Sequence, residues 1–358
     1  MDPFEQQPAP VVQRRRFPRW PFALAGMALL TGAAVLVLWP LKVPYYAMSP
    51  GPVEEVADLI SVEDTQVYTT NGDLFLLTVG LREVNVFEYL EAQLDPRVDL
   101  VARDVIRPRG VTQEQATRTN LEDMDQSIDA AVYVALTRLG YEVGFTGEGV
   151  SVVEVAEGTP AEGVLQVGDV ITHIEGRVVA TADDAGTVIR TFQIGDTVNL
   201  SGTRAGEPLS VDITLIAHPD LEGAPMVGVA LTTVNLDLDL PIDLEIDSRN
   251  IGGPSAGMMY AITVLDLLTP EDLVKGHRIA GTGTIHSDET VGAIGGVRQK
   301  VFAARSVGAE YIIVPADNYP DALTAAGDGI EIVAVATLQD ALDFMDSLEP
   351  VGGVVAAS

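Results

Sequence analysis

Apolar positions run without a charged side chain from about Pro21 to Trp39, directly behind Arg14, Arg15, Arg16 and Arg19. That pattern predicts a membrane-spanning helix over residues 20–40, because a bilayer core needs about 20 apolar residues. Trp20 and Trp39 stand at the two ends, where amphipathic rings prefer the interface. The arginine excess ahead of the run sets 1–19 as a cytoplasmic tail and everything from about residue 43 as extracytoplasmic. A cleaved signal peptide is the alternative, but Tyr45-Tyr46-Ala47 offers a bulky ring where a small residue is needed.

Past the stiff Pro50-Gly51-Pro52 the pattern alternates. Gln66–Thr70 and Leu74–Val79 flank Asn71-Gly72-Asp73, which predicts a β-hairpin. Met124, Ile128, Ala131, Ala135 and Leu139 recur at helical spacing and predict a helix from about Thr112 to Leu139, stopped by Gly140. The segment 41–140 is read as extracytoplasmic and as packing on the last region of the chain.

From Tyr141 a second unit begins. Val150–Val155 alternates as a strand, Gly158-Thr159-Pro160-Ala161 turns, Gly168-Asp169 precedes Val170-Ile171, and Glu175-Gly176 makes a tight turn. This order of strand, small-residue turn, Gly-Asp, strand and glycine turn resembles a bacterial PDZ domain, over 141–220, and the resemblance implies a following helix over Thr181–Thr191. PDZ domains add an extended peptide to a sheet edge. The resemblance implies that the loop before the first matched strand would receive the peptide end, with Gly144, Phe145, Gly147 and Gly149 as its binding residues. A docking or gating module without carboxylate recognition is the competing reading.

The region from about Pro225 to 348 reads as strands over Val227–Leu240 and Leu244–Ile246, a glycine turn, and a helix over Ala256–Leu268. Thr269-Pro270-Glu271-Asp272 has the composition of a helix start. Strands follow at Arg278–Ile285, Ala309–Pro315 and Ile330–Val335, and Thr337 caps a closing helix. The glycine turn is Gly252-Gly253-Pro254-Ser255-Ala256-Gly257, and Lys300 lies beyond Gly295-Gly296. A serine at a helix start, with a lysine able to take its proton, is a minimal kit for acyl transfer. The helix N-terminus supplies unpaired N–H groups where an oxyanion would form. An exposed lysine stays protonated at neutral pH, so the amine must be desolvated, and Ile294, Val297 and Val301 offer an apolar wall.

Gly252–Gly257, Thr269–Gly276, Ile279–Ile285 and Gly292–Lys300 together resemble the proteolytic domain of the Lon family of serine peptidases, and the whole order resembles its membrane-anchored, PDZ-containing branch. The resemblance implies Ser255 as nucleophile and Lys300 as general base, with Thr282 orienting the lysine and Gly252, Gly253 and Ala256 supporting the turn. It also makes a homo-oligomer possible. The fold class expected is mixed α+β, with a transmembrane helix, a PDZ domain and a Lon-like domain, and with 349–358 as a flexible tail.

Composition narrows the choice. The chain has 358 residues, no cysteine, and 21 basic against 52 acidic residues, for a formal charge of −31. The missing cysteines remove thiolate chemistry and disulfides, and the negative field disfavours nucleic acid. No Gly-x-x-x-x-Gly-Lys-[Ser/Thr] motif occurs, so no ATP-driven module is expected. Neither a metal nor any other cofactor is expected. The partners are a peptide or protein substrate and the membrane through 20–40. Two alternatives stay open. Gly253–Gly257 also satisfies Gly-x-Ser-x-Gly of α/β-hydrolase esterases, which need an acid and then a histidine downstream; His277 and His286 are the histidines after Ser255. A non-catalytic PDZ scaffold is the other.

Overall fold

The structure, a computed structural model, describes residues 20–218 and 223–351, without the side chains of 21–23, 31 and 34. The expected cytoplasmic tail over 1–19 and all but the first three residues of the expected tail over 349–358 lie outside the described residues. The chain divides into two compact units, one of 1–50 with 80–111 and one of 51–79 with 112–358.

In the smaller unit α1 spans Trp20–Leu38, with Leu24, Met27, Leu29, Leu30 and Leu36 exposed. The expectation of a transmembrane helix over 20–40 finds no support here: among the described residues no helix is long and apolar enough to cross a membrane. Strands β1 (Lys42–Glu55) and β2 (Asp73–Asn85) each run through both units. Helix α2 (Val86–Ala92) starts where Asn85 accepts hydrogen bonds from the Phe87 and Glu88 N–H groups and Glu88 accepts one from Asn85, a capping box. The first half of β1 pairs antiparallel with β3 (Asp99–Ala102), over a small core of Ala47, Val84 and Ala92.

The larger unit opens with α3 (Gln113–Arg138), capped by Thr112 with Gln115 as its reciprocal partner. Met124, Ala131 and Ala135 are buried as the periodicity predicts. Then follow β4 (Gly144–Thr146), β5 (Val150–Val155), β6 (Val170–Ile174), α4 (Ala182–Ile189), β7 (Thr197–Arg204), β8 (Glu207–Thr214), β9 (Val229–Thr233) and β10 (Asp237–Asp239). An antiparallel sheet in the order β8-β7-β6-β5-β9 closes over its own core of Val150, Ile171, Val198, Leu200 and Ile213. The single strand expected over Val227–Leu240 is two. β9 joins this sheet, Leu231 opposite Val152, while β10 pairs with β4, Leu238 opposite Phe145. The break comes at Asn235, whose positive φ of 47° no strand accommodates.

The chain continues through α5 (Gly257–Leu268), β11 (Arg278–Gly281), β12 (Thr284–Ile285), β13 (Val291–Gly292), α6 (Val297–Ser306), β14 (Tyr311–Pro315), α7 (Tyr319–Ala326), β15 (Glu331–Val335) and α8 (Leu338–Asp346). Strands β15, β14, β11 and the first half of β2 form a parallel sheet in that order. Both faces are covered, and the alternation along each strand divides them. Leu74, Leu76, Ile279 and Ile313 pack with α3, α5 and α8, while Phe75, Leu77, Ala280 and Ile312 pack with α6 and α7.

Two local expectations fail here. The Asn71-Gly72 turn makes no hairpin, because β2 finds its partner in β11, with Leu74 opposite Ile279. The residues before the turn are held instead by the end of α5 and the loop after it: the Tyr68 N–H donates to the Leu267 carbonyl and the Gly276 N–H to the Asn71 carbonyl. Thr269 starts no helix but ends α5, its hydroxyl donating to the Leu265 carbonyl at 2.8 Å. Asp272 then accepts hydrogen bonds from the Val274 and Lys275 N–H groups, a local turn that competes with helix.

Candidate active site

Ser255 and Lys300 approach from opposite faces of the parallel sheet. Ser255 precedes α5, which belongs to one face, and Lys300 lies on α6, which belongs to the other. They meet at Thr282, the first residue beyond the carboxyl end of β11. Lys300 Nζ is 2.6 Å from Ser255 Oγ and 2.7 Å from Thr282 Oγ1. The Thr282 hydroxyl donates to the Ser255 carbonyl at 3.0 Å, and the Gly283 N–H donates to the same oxygen at 2.9 Å. With its one proton committed, Thr282 Oγ1 accepts from Nζ. An uncharged Nζ then keeps its lone pair for the Ser255 hydroxyl.

The surroundings favour that uncharged form. Lys300 is 2% exposed, and burial brings its ammonium down from 10.5 to about 7. Among the described residues no carboxylate pairs with it. Val297 and Val301 are buried on the same helix α6, and Ile294 is half-buried against their cluster.

The serine turn is shaped by glycine. Gly253 has φ of 88°, a conformation that side chains rarely adopt, and its N–H donates to the Asn120 carbonyl at 2.7 Å. At Gly257 a Cβ would stand 2.6 Å from Ser127 Oγ, so only glycine lets α3 and α5 approach this closely. Ala256 is buried and caps α5, while Gly252 lies exposed at the mouth. Among the described residues no hydrogen bond engages the Ser255 or Ala256 N–H. The cleft is about 400 Å³ and is lined by Leu76, Leu77, Met124, Asn250–Ala256 and Lys300. None of its lining residues is a histidine. His277 is instead buried between the Glu310 carboxylate, 3.0 Å away, and the Glu349 carbonyl, 2.9 Å away. That removes the arrangement the esterase alternative requires.

Comparison with known proteins fits this geometry. Residues 246–345 match the Lon protease (S16) C-terminal proteolytic domain, and residues 124–215 match a PDZ domain. The chain carries a Lon-type proteolytic domain. Lon protease 2 of Bacillus subtilis is 33% identical over 117 residues, which is 33% of this chain and 20% of that protein. Lon protease 1 of Sorangium cellulosum is 31% identical over 180 residues, 49% of this chain and 20% of that protein. The chain thus spans about a fifth or less of the length of the Lon proteases it matches. A PDZ domain of an SdrC-like protein from Listeria monocytogenes is 34% identical, with a TM-score of 0.23, covering 24% of this chain and 90% of that one.

Within the Lon-type domain Ser255, Lys300 and Thr282 stand together with the turn residues Gly252, Gly253 and Ala256. The four residues expected to receive a peptide end do not assemble into a site. Gly144 and Phe145 lie in β4 against β10, and Gly147 and Gly149 are packed on Ala180 and Ile171. The groove of the PDZ domain lies elsewhere, between α4 and β9, about 230 Å³ lined by Ala185, Ile189, Val227, Val229 and Leu231 among others. Ala224, Pro225 and Met226 also line it, far along the chain, because the strand that completes the sheet arrives last. Gly228, with φ of 96°, ahead of the alternating Val229-Ala230-Leu231, is the signal that marks it.

Proposed function

We propose that this chain is a membrane-anchored serine endopeptidase, independent of ATP, that cleaves flexible peptides or unfolded protein segments outside the cytoplasm. The carrying observation is the buried Lys300 amine, with no carboxylate partner among the described residues, at 2.6 Å from the Ser255 hydroxyl. A general base must be within hydrogen-bond reach and able to lose its own proton near working pH, and this amine meets both conditions. Ser255 Oγ attacks the peptide carbonyl carbon while its proton passes to Lys300 Nζ. The negative oxygen of the tetrahedral intermediate takes hydrogen bonds from the unengaged Ser255 and Ala256 N–H groups. When the C–N bond breaks, Lys300 returns the proton to the leaving amine. Water then attacks the ester, giving its proton to Lys300, and the C–O bond breaks to restore the Ser255 hydroxyl.

The PDZ groove suits docking of an extended segment beside β9, the last strand of its sheet. Anchorage through 20–40 is supported by the uncharged run from Pro21 to Trp39 behind four arginines. Independence from ATP is supported by the lack of a phosphate-binding glycine motif in the sequence. The test is hydrolysis of fluorescein-labelled casein by the full chain. Turnover by the wild type and none by Ser255→Ala or Lys300→Ala is expected, and turnover near wild type in either variant refutes the mechanism. Extraction of the chain from membranes by alkaline carbonate refutes the anchor separately.

A further inference from the structure

Helix α3 reaches the serine turn from a segment more than a hundred residues earlier. Its Asn120, Met124 and Ser127 lie on one face, spaced by four and three residues. The Asn120 carbonyl accepts from the Gly253 N–H, Met124 lines the cleft, and the Ser127 hydroxyl donates to the Pro254 carbonyl at 2.9 Å. Ser127 is a polar residue only 5% exposed on a helix otherwise turned toward an apolar core. The mechanism above does not use it.

The Pro254 carbonyl and the Ser255 N–H belong to one peptide plane. In a trans peptide these two groups point in opposite directions. Holding the carbonyl against α3 therefore turns the Ser255 N–H away from α3 and leaves it unengaged. The next plane is held the same way, because the Ser255 carbonyl is taken by Thr282 and Gly283, which turns the Ala256 N–H away from them. Without the Ser127 hydroxyl the part-buried Pro254 carbonyl would lose the side-chain donor that holds it to α3, and rotation of the plane would bring that carbonyl to the oxyanion side.

We infer that Ser127 is a positioning residue that sets the oxyanion site by locking the Pro254–Ser255 peptide plane. The inference rests on the peptidase reading. It separates the two supports of the reaction: Thr282 and burial govern the base, and α3 governs the oxyanion donor.

The test uses the full chain with a short fluorogenic peptide, beside Ser255→Ala as the reference for lost catalysis. Ser127→Ala is expected to lower kcat on the order of 10²-fold, with KM within about twofold, as for an interaction made in the transition state. The acid limb of the pH profile, set by Lys300, stays where it is in the wild type. Affinity for a peptidyl boronate, whose serine adduct carries the tetrahedral anion, falls in step with kcat/KM. Ser127→Cys keeps the shape with a weaker donor and is expected to fall between the two. It takes the same readouts if the alanine variant does not fold. Wild-type kcat in Ser127→Ala, or in Ser127→Cys where the alanine variant is unfolded, overturns the inference, as does an acid limb that moves together with kcat. An inactive wild type, or an active Ser255→Ala, defeats the peptidase reading instead and is told apart by that reference.

Discussion

The two recesses of the larger unit, the cleft at Ser255 and the groove beside β9, are built on opposite principles. The cleft gathers polar groups into a closed chain of hydrogen bonds: Lys300 to Ser255 and Thr282, Thr282 to the Ser255 carbonyl, Ser127 to the Pro254 carbonyl. The groove is a trough of aliphatic side chains along the last strand of a sheet, with His218 and Arg190 among its lining residues. Chemistry needs an amine stripped of water and dipoles held still, so each polar atom is pinned from a different element. Recognition of a peptide backbone needs a strand edge and apolar room, which one helix and one strand supply.

Four measurements break or sharpen that contrast. The largest effect belongs to the cleft: Ser255→Ala or Lys300→Ala is expected to lower casein turnover by about 10³-fold or more with the fold retained by circular dichroism. Thr282→Val, which removes the hydroxyl shared by the lysine and the Ser255 carbonyl, is expected to lose on the order of 10²-fold.

The PDZ domain should answer to stability rather than chemistry. Asp169 is 1% exposed and holds Arg204 through two 2.7 Å contacts, while also accepting from the Gln166 N–H. Asp169→Ala removes both bonds to Arg204 and the one from the Gln166 N–H, and is expected to lower the midpoint of urea unfolding. The Arg204 hydrogen bond lowers the Asp169 pKa, so its contribution is present above the ordinary carboxylate range and fades as pH falls through the lowered value. A variant as stable as the wild type at pH 7 would show that this pair is incidental.

The third measurement follows the Lys300 proton. Between about pH 7 and 10.5 the unfolded chain holds a proton that the folded one has lost, so wild-type stability rises with pH there by about 1.4 kcal/mol per unit. Lys300→Met lacks this slope, and its stability relative to wild type should be greatest below pH 7 and shrink towards pH 10.5. Parallel unfolding curves for the two proteins across that window would mean that the amine is solvated. Activity should rise through about pH 7 as the amine becomes free.

The smallest effect lies in the groove. Ile189→Asp puts a charge among aliphatic side chains and is expected to slow casein several-fold more than a four-residue peptide. An equal effect on both substrates would detach the groove from substrate handling.

What the residues announce in advance is local. Helix α3 follows from its periodicity and from Thr112 with Gln115, and the turn around Ser255 is legible because glycines at Gly252, Gly253 and Gly257 permit what other residues forbid. The demand that Lys300 be buried follows from its ordinary pKa alone. Apart from the Thr269 turn, where local hydrogen bonds replace a helix, the errors are errors of partner. Asn71-Gly72 has the chemistry of a hairpin turn, and β2 pairs with β11 two hundred residues away. Val229–Thr233 reads as the start of the last region and completes the sheet of the one before it. Ser127 reads as one more polar residue on a helix, because nothing near it in the chain tells which carbonyl it will meet.

Chain order thus settled the caps at Thr112 and Thr337, the glycine turns and which residues are candidates to react, since each depends on a few neighbouring dihedrals and side chains. Folding in three dimensions decided which strands lie side by side, where the groove beside β9 opens and what holds the serine turn. Those outcomes depend on burial shared between distant segments, and no short stretch of residues contains both sides of such a contact.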